Sequence, residues 1–87
     1  MLKVSVISPE ATLFEGEADS IVAPAFDGEV GILRGHAPMM TLLGRGVLRI
    51  GRGEGSGASA TRFQVEGGFL QVVDDHVRVV TEHASKA

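Results

Sequence analysis

The sequence of 87 residues contains no cysteine, tryptophan or tyrosine. Without cysteine the chain has no disulfide, no thiolate nucleophile and no cysteine ligand for zinc or an iron–sulfur cluster. Of the large aromatic residues it contains only four phenylalanines. Its formal net charge is −3 at pH 7. Binding of nucleic acid needs a basic face and aromatic side chains on which bases stack. The composition therefore predicts no nucleic-acid partner.

The sequence also has no long apolar run. No segment approaches the roughly 18 consecutive apolar residues from which a transmembrane helix is recognised. The first residues lack the apolar stretch and small-residue cleavage site of a secretory signal. Together with the absence of cysteine, this predicts a cytoplasmic location. A chain of this length is expected to form one domain, which we assign to residues 1–87.

Short runs with β-strand character alternate with turn residues along the whole chain. In residues 2–6 apolar and polar side chains alternate with a period of two, which predicts a half-buried strand. The same pattern places Phe63 and Val65 on one face of a later strand, and Val77 and Val79 on the inner face of the last strand. No window of about 12 residues has the period of an amphipathic helix. The sequence thus predicts an all-β fold of eight to ten short strands without substantial helix.

Glycine and aspartate mark the turns between these strands. The glycine pair at residues 67–68 predicts a break between a strand at residues 61–66 and another at residues 69–73. Residues 74–75, both aspartate, predict a tight turn, since Asp side chains bond the nearby backbone. Gly35 is expected to adopt a positive φ. Gly28 and Gly31 bracket a strand that is expected to bend or to let another backbone approach closely. The glycine-rich residues 51–57 lie between two predicted strands and contain no lysine, so they do not match a phosphate-binding P-loop. We interpret residues 53–60 as a mobile hairpin tip.

The titratable residues form no pattern that indicates catalysis or metal binding. The three histidines, His36, His76 and His83, have none of the short spacings typical of metal ligands. The chain has no Gly-x-Ser-x-Gly elbow for a nucleophile. The adjacent carboxylates of residues 74–75 suit a turn better than an acid/base pair, which has to converge in a cleft. We therefore predict no enzyme activity, no metal and no cofactor.

The charges are distributed unevenly. Residues 1–33 contain six acids against one lysine, a balance of −5, whereas residues 34–62 contain five arginines against one glutamate, a balance of +4. The remaining residues contain four acids against two bases, a balance of −2. Two interpretations stay open for the arginines: solvated side chains on outer strand faces, or a contact surface for a protein or an anionic group. The arginines of this group are Arg34, Arg45, Arg49, Arg52 and Arg62.

The most informative stretch is residues 28–38, Gly-Glu-Val-Gly-Ile-Leu-Arg-Gly-His-Ala-Pro. A tight meander in a small β-sandwich accounts for its glycines and its proline. It does not account for Glu29, a lone carboxylate that we expect on an exposed, glycine-flanked edge of the sheet, or for His36 in the next turn. Such a polar pair on a rigid corner is a plausible docking point for a protein partner.

This stretch resembles the signature of the epsilon subunit of bacterial F-type ATP synthases, the counterpart of the mitochondrial delta subunit. Further blocks along the chain match the same family in order. They are residues 6–10 (Val-Ile-Ser-Pro-Glu) with residues 13–16 (Leu-Phe-Glu-Gly), residues 46–50 (Gly-Val-Leu-Arg-Ile), residues 67–72 (Gly-Gly-Phe-Leu-Gln-Val) and residues 77–84 (Val-Arg-Val-Val-Thr-Glu-His-Ala). The resemblance extends along nearly the whole sequence.

The resemblance implies a flattened β-sandwich of two five-stranded sheets that acts as a non-catalytic rotor subunit of the central stalk. Such a subunit docks on the gamma shaft and on the polar loops of the c-ring, at the cytoplasmic face of the bacterial inner membrane. It couples proton or sodium flow to ATP synthesis. By motif position, Glu29 faces the c-ring, whereas Ser8, His36 and Thr41 face gamma. The chain alone is expected to be a monomer that joins a hetero-oligomer.

The sequence departs from the family pattern in three places. Family members usually continue into two C-terminal helices that inhibit ATP hydrolysis and in some members bind ATP, whereas this sequence ends at Ala87. Neither property is carried over, and a natural short form and an expressed fragment both fit. Arg34 stands where the family often has proline, and residues 53–60 are longer than expected. The alternative function is that of a free-standing β-sandwich module. In that case residues 53–60 and the arginine group would bind an anionic small molecule.

Overall fold

A computed structural model describes residues 1–52 and 61–87 of the chain. These residues form eight β-strands and no helix, which confirms the all-β prediction. The predicted hairpin tip at residues 53–60 lies outside the described residues. The strands are β1 (Leu2–Ile7), β2 (Thr12–Ala18), β3 (Ser20–Ala25), β4 (Gly28–Leu33), β5 (Met39–Leu42), β6 (Arg45–Gly51), β7 (Thr61–Val73) and β8 (His76–Lys86).

Hydrogen bonds join the eight strands into one mixed sheet. The strand order is β2-β1-β8-β7-β6-β3-β4, and β5 pairs with β7 beside this path. β1 and β8 are parallel, whereas the other paired strands are antiparallel. A flat sheet is only one strand layer thick, whereas the smallest dimension of the Cα trace is 23 Å. The sheet therefore curls around a core, and its division into two five-stranded sheets stays a prediction.

The inner face of the curled sheet buries one apolar cluster. Leu2, Val4 and Val6 of β1 are almost fully buried, as the alternation in residues 2–6 predicts. The predictions for β7 and β8 are also confirmed, since the side chains at positions 63, 65, 77 and 79 are buried. The buried apolar residues are Leu2, Val4, Val6, Ala18, Ile21, Ala23, Ile32, Leu43, Leu48, Ile50, Phe63, Val65, Leu70, Val72, Val77 and Val79.

β7 is one strand that bends at a glycine pair, where the sequence predicted two separate strands. Gly67 and Gly68 lie in its middle with φ values of 73° and 104°. The residues before the pair align with β6 and those after it align with β5, while β8 follows both halves. A Cβ atom on Gly68 would overlap the carbonyl oxygen of Val80. The bend thus lets one strand serve both sides of the core.

The turn predictions are confirmed at two places and wrong at one. Asp74 and Asp75 connect β7 to β8 with positive φ values of 48° and 62°, and Gly35 has a φ of 79°. Gly31 has no positive φ, and a Cβ atom there would have nothing within 4 Å. The expected close backbone approach at Gly31 is therefore wrong, because β4 ends the strand order and its solvent side is open.

Candidate docking surfaces

One outer face of the sheet carries apolar side chains across four neighbouring strands. Leu42 of β5 lies opposite Phe69 of β7, Phe69 opposite Val80 of β8, and Val80 opposite Ile7 of β1. Residues directly opposite each other in a sheet share a face. Leu42 is 63% exposed and the other three are half-buried. This face is apolar although the core lies on the other side of the strands.

Two further side chains extend this patch. The backbone N–H of Phe26 donates to the carbonyl oxygen of Leu42 at 3.0 Å, next to a bridge between Ala25 and Leu43. Phe26 therefore lies opposite Leu42, and it is 67% exposed. Met40, two positions before Leu42 on the same face of β5, is 64% exposed. We call the following residues the apolar row: Ile7, Phe26, Met40, Leu42, Phe69 and Val80.

Sequence reasoning did not identify the apolar row, although β5 contained a signal. Residues 39–43 read Met-Met-Thr-Leu-Leu, so both faces of this short strand are apolar. A strand with one solvated face normally alternates apolar and polar residues. Of these residues, Leu43 is buried and Met39 packs against the core, which leaves Met40 and Leu42 unexplained by folding. Exposed apolar patches of this kind mark protein interaction sites.

Ser8 lies at one end of this outer face, directly after Ile7. Its backbone N–H donates to the carbonyl oxygen of Ala11 at 2.9 Å, and its hydroxyl lies 3.2 Å from the same oxygen. The N–H of Ala11 lies 3.3 Å from the Ser8 hydroxyl oxygen. Ser8 therefore fixes the turn between β1 and β2, beside the apolar row.

Thr41 lies between Met40 and Leu42 on β5, but its side chain alternates to the opposite side of the strand. It pairs with the buried Leu70 and is half-buried. Its hydroxyl donates to the carbonyl oxygen of Leu42 at 3.4 Å. The structure thus places Thr41 in the strand that carries the apolar row, with Met40 and Leu42 as the outward side chains.

His36 lies in the connection between β4 and β5, at the other end of the same outer face. The N–H of Gly35 donates to Oδ1 of Asp75 at 2.8 Å, which ties this connection to the turn between β7 and β8. The His36 N–H donates to the carbonyl oxygen of Leu33 at 3.2 Å. Its ring Nδ1 lies 2.7 Å from the carbonyl oxygen of Ala37. Because a carbonyl oxygen only accepts, this contact requires a proton on Nδ1.

A groove of about 570 Å³ lies on this face over β1, β2, β8 and the end of β7, and its lining combines apolar surface with charged side chains. Bases from β1 and β8 lie on one side of it and acids from β2 on the other. A polar border beside an apolar centre is the usual anatomy of a protein interface. Charged and polar residues that line the groove are Lys3, Glu15, Glu17, Gln71, His76 and Arg78.

Glu29 lies apart from these residues, on β4 at the end of the strand order. It pairs with Pro24 of β3 and is exposed, which confirms the edge position predicted for it. One of its carboxylate oxygens lies 3.6 Å from a guanidinium nitrogen of Arg49 on β6. This oxygen-to-nitrogen distance is longer than the 2.7–2.9 Å typical of a charge-assisted hydrogen bond. The carboxylate is therefore available to a partner.

Neither a group of side chains placed to bind a metal ion nor a helix that could span a membrane is found among the described residues. In residues 1–52 and 61–87, no group of three or more His, Asp or Glu side chains is placed to hold a metal ion. The same residues include no helix of the length and apolarity that crossing a membrane requires.

Comparison with protein families gives a match over the whole sequence. The family described as ATP synthase, Delta/Epsilon chain, beta-sandwich domain, matches residues 1–87. An ATP synthase epsilon chain of Leptospira borgpetersenii is 48% identical over 84 residues, which cover 97% of this chain and 63% of the relative. An ATP synthase epsilon chain of Caulobacter vibrioides is 37% identical over 86 residues, which cover 99% of this chain and 95% of the relative.

A solved structure has the same fold. A chain in the cryo-EM structure of the Euglena gracilis mitochondrial ATP synthase (OSCP, F1 and c-ring) superposes with a TM-score of 0.85 at 23% identity. The match covers 98% of this chain and 52% of that one. Since the family match spans residues 1–87 and the fold agrees, the chain belongs to the delta/epsilon family of ATP synthase subunits, whose beta-sandwich domain it contains.

Proposed function

We propose that this protein is a non-catalytic rotor subunit that docks on the gamma shaft and on the c-ring of an F-type ATP synthase. The apolar row is the observation that carries this proposal, because a monomeric domain gains nothing from exposing Phe26, Met40 and Leu42. The epsilon chains that resemble this protein, and the ATP synthase structure that shares its fold, support it. The proposal includes a location of this complex at the cytoplasmic face of the bacterial inner membrane.

On the gamma side, the apolar row forms the centre of the proposed interface and the charged side chains of the groove form its border. Ser8 and His36 lie at opposite ends of this face, where they would contact gamma, and Thr41 supports the outward residues of β5. Apolar side chains in the middle of an interface contribute most of its affinity. The surrounding charges set the orientation in which the partner docks.

On the membrane side, Glu29 would contact the polar loops of the c-ring. Its edge strand is hydrogen-bonded to β3, which is itself bonded to β6, so force on Glu29 passes into the sheet. A rotor part has to transmit torque without deforming. A continuous ladder of backbone hydrogen bonds around a packed core provides that stiffness. The proposed role requires no chemistry from side chains, and inhibition by C-terminal helices or binding of ATP forms no part of it.

Mixing this chain with the gamma subunit of the same organism tests the proposal. We expect a one-to-one complex on size-exclusion chromatography, with a Kd of about 1 µM or tighter for an interface of standard size. Circular dichroism of each protein alone establishes that both are folded. The decisive concentration is on the order of 10 µM, 10-fold above that Kd. If both proteins are folded and still elute separately at this concentration, docking on gamma is contradicted.

Replacing Glu29 with alanine is expected to impair coupling without affecting folding. The free energy of unfolding should change by less than about 1 kcal/mol, because the carboxylate is exposed and its ion pair with Arg49 is a surface pair. In membranes that contain the assembled synthase, ATP-driven proton pumping should fall while ATP hydrolysis persists.

Glu66→Ala is the matched control for Glu29→Ala. Glu66 is also exposed and lies 3.5 Å from an arginine, Arg45, but it belongs to β7. Proton pumping should be unchanged in this variant. Equal pumping by the two variants would place the c-ring contact elsewhere on the domain.

A further inference from the structure

Two arginines face each other on the outer side of β6 and β7. Arg49 lies directly opposite Arg62 in the ladder, so their Cβ atoms are about 5 Å apart. Both side chains are exposed. Like charges directly opposite each other on a sheet are destabilising. A local conflict of this kind is expected where a site serves a purpose other than folding.

The carboxylates around this pair do not neutralise it. Glu29 lies 3.6 Å from Arg49, with 62% of the Glu29 side chain exposed. Among the residues that the structure describes, ion pairs connect Glu29 to Arg49 and Glu66 to Arg45, and no carboxylate is paired with Arg62. Of the two arginines, Arg49 therefore has one loosely held carboxylate, and Arg62 has none among the described residues.

The sheet beside the two arginines leaves room for a ligand. Val22 of β3 lies opposite Arg49, and Gly31 of β4 lies opposite Val22. Gly31 has open space where a side chain would be. One face of these four strands thus presents, in order, an open position at Gly31, the small side chain of Val22 and the guanidinium groups of Arg49 and Arg62.

We propose that Arg49 and Arg62 form a binding site for a phosphate group, separate from the surface that docks on gamma. Each guanidinium presents a planar fork of N–H donors that fits two oxygens. A carboxylate has two oxygens and satisfies one fork, whereas a tetrahedral phosphate offers enough oxygens for two forks. The phosphate displaces Glu29 from Arg49, so phosphate binding and the Glu29 contact compete.

Titration of the 87-residue chain with inorganic phosphate at constant ionic strength tests the site. We expect saturable chemical-shift changes of the backbone amides of Val22, Arg49 and Arg62 in NMR spectra, since these residues surround the ligand. Acetate at the same ionic strength serves as the carboxylate probe. Absence of saturable shifts, or binding of acetate as tight as that of phosphate, would overturn the proposal.

Variants separate a defined site from general charge attraction. Arg62→Gln and Arg49→Gln should each weaken phosphate binding by about fivefold, the effect of one arginine near an anionic group. Arg34→Gln removes the same charge from an exposed position in the turn after β4 and should change affinity by less than about twofold. Equal weakening by all three variants would indicate charge attraction only and overturn the site.

Two further measurements test the geometry. Glu29→Gln should tighten phosphate binding by about threefold, because it removes the competing carboxylate. Arg62→Gln should raise the urea midpoint of unfolding, because it removes the repulsion between Arg49 and Arg62. An unchanged phosphate affinity in Glu29→Gln, or a lowered urea midpoint in Arg62→Gln, would contradict the proposed arrangement.

The source of the phosphate is distinguished with vesicles. Co-sedimentation with phosphatidylglycerol vesicles, lost in Arg62→Gln and absent with phosphatidylcholine vesicles, would identify a lipid headgroup. Binding of free phosphate without binding to either vesicle would identify a soluble phosphate compound. Binding to neither probe would overturn the proposal, while the gamma complex would still form if the proposed function is correct.

Discussion

Gly68→Ala is expected to destabilise the domain by about 3 kcal/mol or more, through backbone strain and steric overlap together. Gly68 has a φ of 104°, which side chains other than glycine rarely adopt. An added Cβ atom would also overlap the carbonyl oxygen of Val80 in the neighbouring strand. Because that oxygen belongs to the backbone of β8, it cannot move away by a change of rotamer. Urea denaturation followed by circular dichroism would measure the loss.

Gly31→Ala is the control for this prediction. Gly31 lies on the edge strand β4 without a positive φ and with open space around it. Alanine there should leave the free energy of unfolding unchanged or raise it by up to about 1 kcal/mol, since it restricts the unfolded chain. A Gly68→Ala variant as stable as Gly31→Ala would mean that β7 does not bend as described.

Leu42→Asp is expected to weaken binding to gamma by about 100-fold or more. Leu42 lies between Phe26 and Phe69 in the apolar row, so docking would bury the new carboxylate without a partner. An unpaired charge buried in an interface costs about 3 kcal/mol or more. Isothermal titration calorimetry of the variant with gamma would measure the effect.

Leu33→Asp provides a closely matched control. Leu33 is 64% exposed and Leu42 is 63% exposed, but Leu33 belongs to the edge strand β4 and is not part of the apolar row. Both variants should remain folded, because neither leucine belongs to the core. If Leu33→Asp weakens gamma binding as much as Leu42→Asp does, the interface is not centred on the apolar row.

The proposed contacts divide the outer surface of one curled sheet. Apart from Phe26, which lies in the turn after β3, the apolar row and the groove lie over β5, the second half of β7, β8, β1 and β2. Glu29 and the pair of arginines lie over β4, β3, β6 and the first half of β7. The bend at Gly67 and Gly68 separates the two regions, since β7 contributes to both. The proposed docking on two partners at once requires this kind of separation.

Local patterns predicted the class of fold and most strand positions. The alternation in residues 2–6 gave the inward residues of β1, and the two aspartates of residues 74–75 gave the turn before β8. Both features depend on neighbours in the chain, which the sequence contains. The continuity of β7 through Gly67 and Gly68 was missed, because glycine pairs usually mark turns. Whether such a pair ends a strand or bends it depends on the partner strands.

The sequence by itself determined that this is an all-β member of its family and that Glu29 is exposed on an edge. It also marked residues 28–38 as unusual. Only the tertiary structure decided which side chains form a surface: Leu42 beside Phe69, and Arg49 opposite Arg62. The physical reason is strand register. Alternation within a strand fixes the face of each side chain, but cross-strand neighbours depend on hydrogen-bond pairing between distant segments, which no local pattern contains.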